Sequence, residues 1–231
     1  MEILFLGTGA GATLGTRRFK SGIAVIHEGV KVLLDMGSGV NYRVEDYDLV
    51  DFDALFVTHL HVDHFMGLFD HLVIRKMKGI PTLKVYSTPG LSQVLDAVVK
   101  AGNRVSAEVQ ESPLPKAKVG ELEIYSVEAC HTVRAVSYVV TDGNKKVVYS
   151  GDTSEPCEPI LKEARDADLV IHEASCVTGC EQWGHTELPK LLSLIPTSKL
   201  VITHVPSWLE AEIYANSKGA RVAYDGMRLN V

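Results

Sequence analysis

The stretch Thr58-His59-Leu60-His61-Val62-Asp63-His64 places three histidines and an aspartate within six residues. It follows directly on the apolar run Ala54-Leu55-Phe56-Val57, so the cluster is expected at the end of a buried strand. Imidazole and carboxylate are natural ligands of zinc and similar first-row metals. His59 and His61 are two residues apart and point to one side of an extended segment. Asp63 and His64 then turn into a helix. At this spacing the four ligands can serve two metals, His59 and His61 on one, Asp63 and His64 on the other. The cluster consumes three of the chain's nine histidines, which disfavours a polar turn rich in histidine by chance.

Four side chains cannot complete two metal sites. His131 follows the apolar run 124–127 closely, Asp152 follows Val147-Val148-Tyr149, and His204 follows Leu200-Val201-Ile202-Thr203. Each lies at or just beyond the C-terminal end of a strand-like run, where open α/β sheets gather their ligands. Singly each reads as a loop residue; with the leading cluster they form a set of seven.

Outward from the cluster, short β-branched runs alternate with amphipathic ones. Strands are predicted over 2–6, 22–27, 30–35, 54–58, 83–87, 122–127, 135–141, 146–150, 169–172 and 200–203. Helices are predicted over 64–76, 91–101, 158–164, 187–194 and 208–216, the second entered through a Ser87-Thr88-Pro89-Gly90 cap. Two hairpins echo each other. Residues 23–37 run strand, Glu-Gly turn, strand, then Asp35-Met36-Gly37; residues 136–153 run strand, Asp-Gly turn, strand, then Gly151-Asp152-Thr153. Two such halves, each a sheet covered by helices, give an α/β (α+β) chain folded as a four-layer αββα sandwich.

With 231 residues, 46% hydrophobic and 23% charged, the composition is globular. It excludes disorder, collagen-like repeats and a disulfide-stapled miniprotein. No linker or low-complexity tract divides the chain, so residues 1–231 read as one domain. The formal charge of −6 argues against a non-specific nucleic-acid binder. No apolar run approaches the roughly 18 residues of a membrane span, and residues 1–7 lack the basic start of a signal peptide. Cys130, Cys157, Cys176 and Cys180 show no paired framework and read as reduced thiols, consistent with a cytoplasmic location. Cys176 and Cys180 read as small buried hydrophobes.

The segments Phe5-Leu6-Gly7-Thr8-Gly9-Ala10-Gly11, Leu33-Leu34-Asp35-Met36-Gly37, Thr58 to His64, His131 with Ser137-Tyr138, Tyr149-Ser150-Gly151-Asp152-Thr153 and Ile202-Thr203-His204 together resemble the metallo-β-lactamase superfamily. Within it, His172-Glu173-Ala174-Ser175 and Gly184-His185-Thr186 resemble the ribonuclease Z branch. The resemblance implies two divalent metal ions, zinc first with manganese, iron or cobalt as substitutes. His59, His61 and His131 would hold one ion, Asp63, His64 and His204 the other, and Asp152 would bridge them. It counts Asp63, Glu173 and His185 as catalytic, with His185 as proton donor oriented by Glu173. Asp35 would accept a ligand histidine's second N–H. No cysteine falls on a ligand position, unlike many β-lactamases of the superfamily.

The implied activity is a metallo-hydrolase that cleaves a phosphodiester, at an RNA 3′ end or in a small cyclic or nucleotide substrate, with a metal-bridging hydroxide. A homodimer is also implied. Arg17 and Arg18 match a basic loop that approaches RNA in the branch, although its proline and asparagine are missing here. Residues 102–118 are too short and mixed for the branch's tRNA-gripping arm. Trp183 fits either stacking on a base or covering its loop, with covering preferred. Hydrolysis of a carboxylic ester, thioester or lactone is the alternative on the same site. A non-catalytic metal-binding partner module is the alternative from another class.

Overall fold

A computed structural model describes residues 1–11 and 17–231. The first half of the chain runs β1 (Glu2–Gly7), β2 (Gly22–His27), β3 (Val30–Leu34), α1 (Val40–Asp46), β4 (Ala54–Val57), α2 (Val62–Phe65), α3 (Gly67–Lys78), β5 (Leu83–Ser87), α4 (Leu91–Lys100) and β6 (Ala107–Glu111). The second half runs β7 (Lys116–Val119), β8 (Leu122–Glu128), β9 (Val136–Thr141), β10 (Lys146–Tyr149), α5 (Glu158–Ala164), β11 (Leu169–Glu173), α6 (Leu188–Leu194), β12 (Leu200–Thr203), α7 (Glu210–Asn216), β13 (Arg221–Val222) and β14 (Arg228–Asn230).

Among the described residues the strands form two seven-stranded sheets, β14-β1-β2-β3-β4-β5-β6 and β13-β12-β11-β10-β9-β8-β7. The echo between the two hairpins extends to the whole of each half. In β1 to β6 two antiparallel pairings are followed by three parallel ones. β8 to β13 repeat that order. At one edge of each sheet, β14 and β7 add antiparallel to β1 and β8. Helices fall in the corresponding parallel crossovers of both halves.

Alternation along the strands builds three apolar layers. Ile3 and Phe5 of β1 face Tyr138, Val140, Tyr149 and Ile171 across the sheet-to-sheet core. Leu4 and Leu6 face outward to Val40, Val44, Leu68 and Leu72. Val148, Val170 and Ile202 of the second sheet pack on Ile160, Leu188, Leu191 and Ile213. Each sheet is therefore buried on both faces, which explains why its strands are continuous apolar runs rather than alternating ones. The result is the expected αββα sandwich.

Several local expectations change. The predicted helix over 64–76 is divided at Met66, which caps α2 and opens α3; Gly67 N–H donates to Met36 O there. Helix α4 does not use a hydroxyl cap: Gly90 and Ser92 N–H donate to Glu111 Oε1 at 3.1 and 2.7 Å. Residues 102–118 carry β6 and the start of β7, half-exposed strands whose mixed composition hid them. The cysteines are not reduced thiols. Cys130 pairs with Cys157 and Cys176 with Cys180, with 6.0 Å between the α-carbons of each pair, within disulfide reach. The first pair joins the loop after β8 to the start of α5, a proximity created only by folding. No described helix is long and apolar enough to cross a membrane.

Candidate metal centre

The ends of β4, β8, β10, β11 and β12 converge at one rim of the sandwich. Beyond β4, the chain delivers His59, His61, Asp63 and His64; beyond β8, β10 and β12, it delivers His131, Asp152 and His204. Ligand atoms of His59, His61, His131 and Asp152 all lie within 4.8 Å of one another, and so do those of Asp63, His64, His204 and Asp152. Asp152 belongs to both groups. Its Oδ2 is 3.6 Å from His59 Nε2 and 3.2 Å from His64 Nε2, while its Oδ1 is 3.3 Å from His204 Nε2.

Backbone constraints make this convergence possible. Gly151 adopts φ +56°, and a Cβ there would stand 2.8 Å from Thr58 Cβ, so only glycine lets the two halves approach beside Asp152. Gly184 adopts φ +81°, and a Cβ there would stand 2.7 Å from His131 Nδ1. Asp35 and His204 themselves take left-handed backbone, at φ +60° and +56°, a conformation retained at non-glycine residues when surrounding contacts over-determine it.

Four of the five imidazoles are aimed by their other nitrogen. His64 Nδ1 donates to Asp35 Oδ2 at 2.7 Å, and His131 Nδ1 to Gly184 O at 2.7 Å. His59 Nδ1 is 3.0 Å from Thr58 Oγ1, and His204 Nδ1 is 2.9 Å from Ser175 Oγ. These contacts fix the tautomers and leave Nε2 of all four facing the cluster. His61 presents Nδ1 instead, 3.1 Å from His131 Nε2. Asp63 Oδ2 accepts Gly11 N–H at 2.8 Å. Asp35 is fully buried and also accepts Thr58 N–H and Tyr149 O–H, both at 2.8 Å.

The donor set fits divalent metal. Nε2 of His59 and His64 and Oδ1 of Asp152 are buried without a hydrogen-bond partner, an arrangement that costs free energy unless a cation satisfies it. Burial pushes His59, His61 and His131 below the ordinary imidazole value, so each offers a lone pair at neutral pH. Burial raises Asp152, but His204, His64 and His59 outweigh it and hold the carboxyl well below its usual range.

Glu173, at the end of β11, lies fully buried beneath one side of the cluster. Its Oε1 accepts Thr153 N–H at 3.0 Å, Thr186 N–H at 3.2 Å and His185 Nδ1–H at 3.0 Å; its Oε2 accepts Ser175 O–H at 2.7 Å. Burial lowers His185, but the Glu173 hydrogen bond and charge prevail and raise it to about 9.

The structure thus brings His59, His61, Asp63, His64, His131, Asp152, His204, Glu173, His185 and Asp35 together. Arg18 does not join them: its guanidinium is buried, donating to Thr8 Oγ1 and Ala223 O and pairing with Glu210 at 3.0 Å. Folding uses it as a brace to the C-terminal region, which sequence spacing does not reveal. Arg17 is exposed. Trp183 is 66% exposed, and with Gly11, Cys176, Cys180, His185 and the 64% exposed Trp208 it lines a pocket of about 250 Å³. Sequence reasoning singled out neither Trp208 nor Ser175. Ser175 enters the sequence only as the last residue of the His172-Glu173-Ala174-Ser175 segment, with no role of its own.

Residues 1–210 match the family model described as Anti-Pycsar protein Apyc1. The chain is 32% identical over 216 residues to zinc phosphodiesterase ELAC protein 2 of Macaca fascicularis, covering 78% of this chain and 26% of that relative. It therefore spans about a quarter of that protein's length. It is 24% identical over 291 residues to ribonuclease Z of Methanosarcina acetivorans, covering 98% of this chain and 94% of the relative. The metallo-β-lactamase fold protein YhfI of Bacillus subtilis superposes with a TM-score of 0.84 at 19% identity, over 99% of this chain and 98% of that one. That likeness establishes the fold.

Proposed function

The chain belongs to the Apyc1 family, a metallo-β-lactamase-fold member close to ribonuclease Z, and from that premise we propose that it is a metal-dependent phosphodiesterase. The observation that carries this reading is the Glu173–His185 pair, 3.0 Å apart, beside the two overlapping donor groups. An imidazole oriented by a buried carboxylate can protonate the alkoxide that leaves a phosphodiester.

His59, His61 and His131 would hold one divalent ion, Asp63, His64 and His204 a second, with Asp152 between them; zinc suits this nitrogen and oxygen set. Such ions supply Lewis-acid charge and lower the pKa of a water nucleophile. The chain's own residues do the rest. Glu173 holds the His185 Nδ1–H, which keeps the ring oriented and its second nitrogen available to protonate the leaving oxygen. Asp35, Thr58, Ser175 and the Gly184 carbonyl hold the ligand imidazoles in register, so little rearrangement opposes the reaction.

The pocket beside His185 supports a small or single-stranded nucleotide arm. Its volume of about 250 Å³ suits one nucleoside-sized group, and Trp183 and Trp208 offer ring faces to a base. Arg17, which is exposed, would be a basic side chain to meet a phosphate. A homodimer belongs to the same reading, and so does a cytoplasmic location, although the two disulfides remove the reduced-thiol argument for it; light scattering at twice the chain mass tests the first, and fractionation of the source cells the second.

The deciding experiment compares bis(p-nitrophenyl) phosphate with a p-nitrophenyl ester and a lactone, each with Zn²⁺, Mn²⁺ or Co²⁺. Phosphodiester turnover is expected. Lactone or ester turnover alone reverses the reading, and metal content without turnover makes the chain a binding module. Precursor tRNA, cyclic dinucleotides and 2′,3′-cyclic phosphates, with product ends mapped, then locate the substrate.

A further inference from the structure

We propose that Ser175 is a positioning residue that couples the proton-carrying His185 to the metal-facing His204 through the carboxylate they share, that of Glu173. The inference rests on the reading of His204 as a metal-facing side chain and deepens it.

The direction of each hydrogen bond follows from what its atoms can do. A carboxylate accepts only, so the Ser175 hydroxyl must donate its single proton to Glu173 Oε2 at 2.7 Å. Its oxygen is then left to accept, and His204 Nδ1 lies 2.9 Å away. His204 therefore carries its proton on Nδ1 and directs the Nε2 lone pair toward Asp63 and Asp152, 3.2 and 3.3 Å distant. The alternative acceptor for the hydroxyl, His204 O, is farther at 3.2 Å. Ser175, Glu173 and His204 are all buried, so water does not substitute for any partner in the chain.

The same device occurs in the other half. Asp35 Oδ2 holds His64 Nδ1 directly at 2.7 Å and receives the Thr58 hydroxyl at 2.9 Å, while Thr58 Oγ1 stands 3.0 Å from His59 Nδ1. Each half thus uses one buried carboxylate to aim one imidazole directly and a second through a hydroxyl. In the first half both imidazoles face the cluster. In the second, one faces the cluster and the other is His185. Glu173 also receives Thr153 N–H, the amide next to Asp152, so the carboxylate that steadies the proton carrier also steadies two members of the donor set.

A particular consequence follows for Glu173→Gln. The amide oxygen can stay on the Thr153 and Thr186 N–H groups, which turns the amide nitrogen toward Ser175. The Ser175 oxygen then accepts rather than donates, and its proton turns toward His204 instead of Glu173. The loss of metal affinity in that variant therefore passes through Ser175.

The test measures zinc affinity of the full chain by competition with a chromophoric chelator, without substrate, in the parent and in Ser175→Ala, Ser175→Val, Ser175→Thr, Glu173→Gln and the Glu173→Gln/Ser175→Val pair. Valine and threonine share a shape and differ by the hydroxyl, so they decide the question if alanine fails to fold. Ser175→Val should weaken one zinc site by about 10–100-fold, the usual effect of removing a group that orients a ligand. Ser175→Thr should restore it to within about 3-fold, on the same loss scale. On the Glu173→Gln background, Ser175→Val should add less than about 3-fold, because the two residues act as one unit. The Co²⁺ d–d spectrum should change with valine and return with threonine. Parent-like zinc affinity in Ser175→Val, or full additivity in the pair, overturns the coupling. A parent chain that binds no zinc overturns the metal reading itself, whereas absent phosphodiesterase turnover with intact zinc binding leaves this inference standing.

Discussion

Asp35 Oδ2 and His64 Nδ1 stand 2.7 Å apart with both side chains fully buried, although 29 residues separate them in sequence. Burial lowers His64, but Asp152, Asp35 and Asp63 outweigh it and hold the imidazole well above its ordinary value. Asp35→Asn keeps the shape but removes the charge that aims the ring. Zinc affinity is expected to fall by about 10–100-fold in chelator competition, while Asp35→Ala should also lower stability by about 3–5 kcal/mol in urea unfolding of the metal-free chain.

His185→Ala should reduce turnover of a phosphodiester with an alkoxide leaving group, such as RNA or a 2′,3′-cyclic phosphate, by about 10²–10⁴-fold, the contribution of a positioned acid, and affect bis(p-nitrophenyl) phosphate less, with zinc content unchanged by elemental analysis. Zinc loss in step with activity makes His185 a ligand instead.

Asp152→Ala removes the one carboxylate common to both donor groups. Bound zinc should fall from two ions per chain toward one. Unchanged stoichiometry removes Asp152 as the bridge.

His185 must be protonated to donate. With its value raised to about 9, turnover is expected to persist at neutral pH and to fall as pH rises through the basic limb. Glu173 is the cause of that elevation, so Glu173→Gln should move the limb to lower pH at saturating zinc. Bound cations depress the limb in both proteins, so the difference between the two pH–rate profiles is the quantity to read.

His71 lies on α3, away from the cluster. It is stacked on Phe52 with 4.8 Å between ring centroids, and neither ring nitrogen has a hydrogen-bond partner among the described residues. Burial, reinforced by the Arg75 charge, depresses it to about 3. Between its ordinary value of 6.5 and that depressed one, the unfolded chain binds the extra proton. Stability should therefore fall as pH drops through this window, by up to about 1.4 kcal/mol per unit, and be unaffected by this group above pH 7. His71→Phe should flatten that slope in urea titrations between pH 6.5 and 4. A parallel slope in both proteins refutes the assignment.

The amino-acid sequence alone determined the αββα architecture, because doubly buried strands must be continuous apolar runs and the helices between them amphipathic. It also marked the donor side chains at the strand ends, because His59 to His64 concentrates donors in one loop and His131, Asp152 and His204 each follow such a run. The repeat was visible only in two hairpins, since the other matching strands share pairing direction, and the helices their place in the crossovers, rather than residues. Tertiary structure alone decided what each side chain touches. It buried Arg18 against Glu210, paired Cys130 with Cys157, exposed Trp183 beside Trp208, and placed Ser175 between Glu173 and His204. None of these follows from spacing, because a hydrogen bond or disulfide depends on distances of a few ångströms between segments that the chain brings together only when both sheets close on their common core.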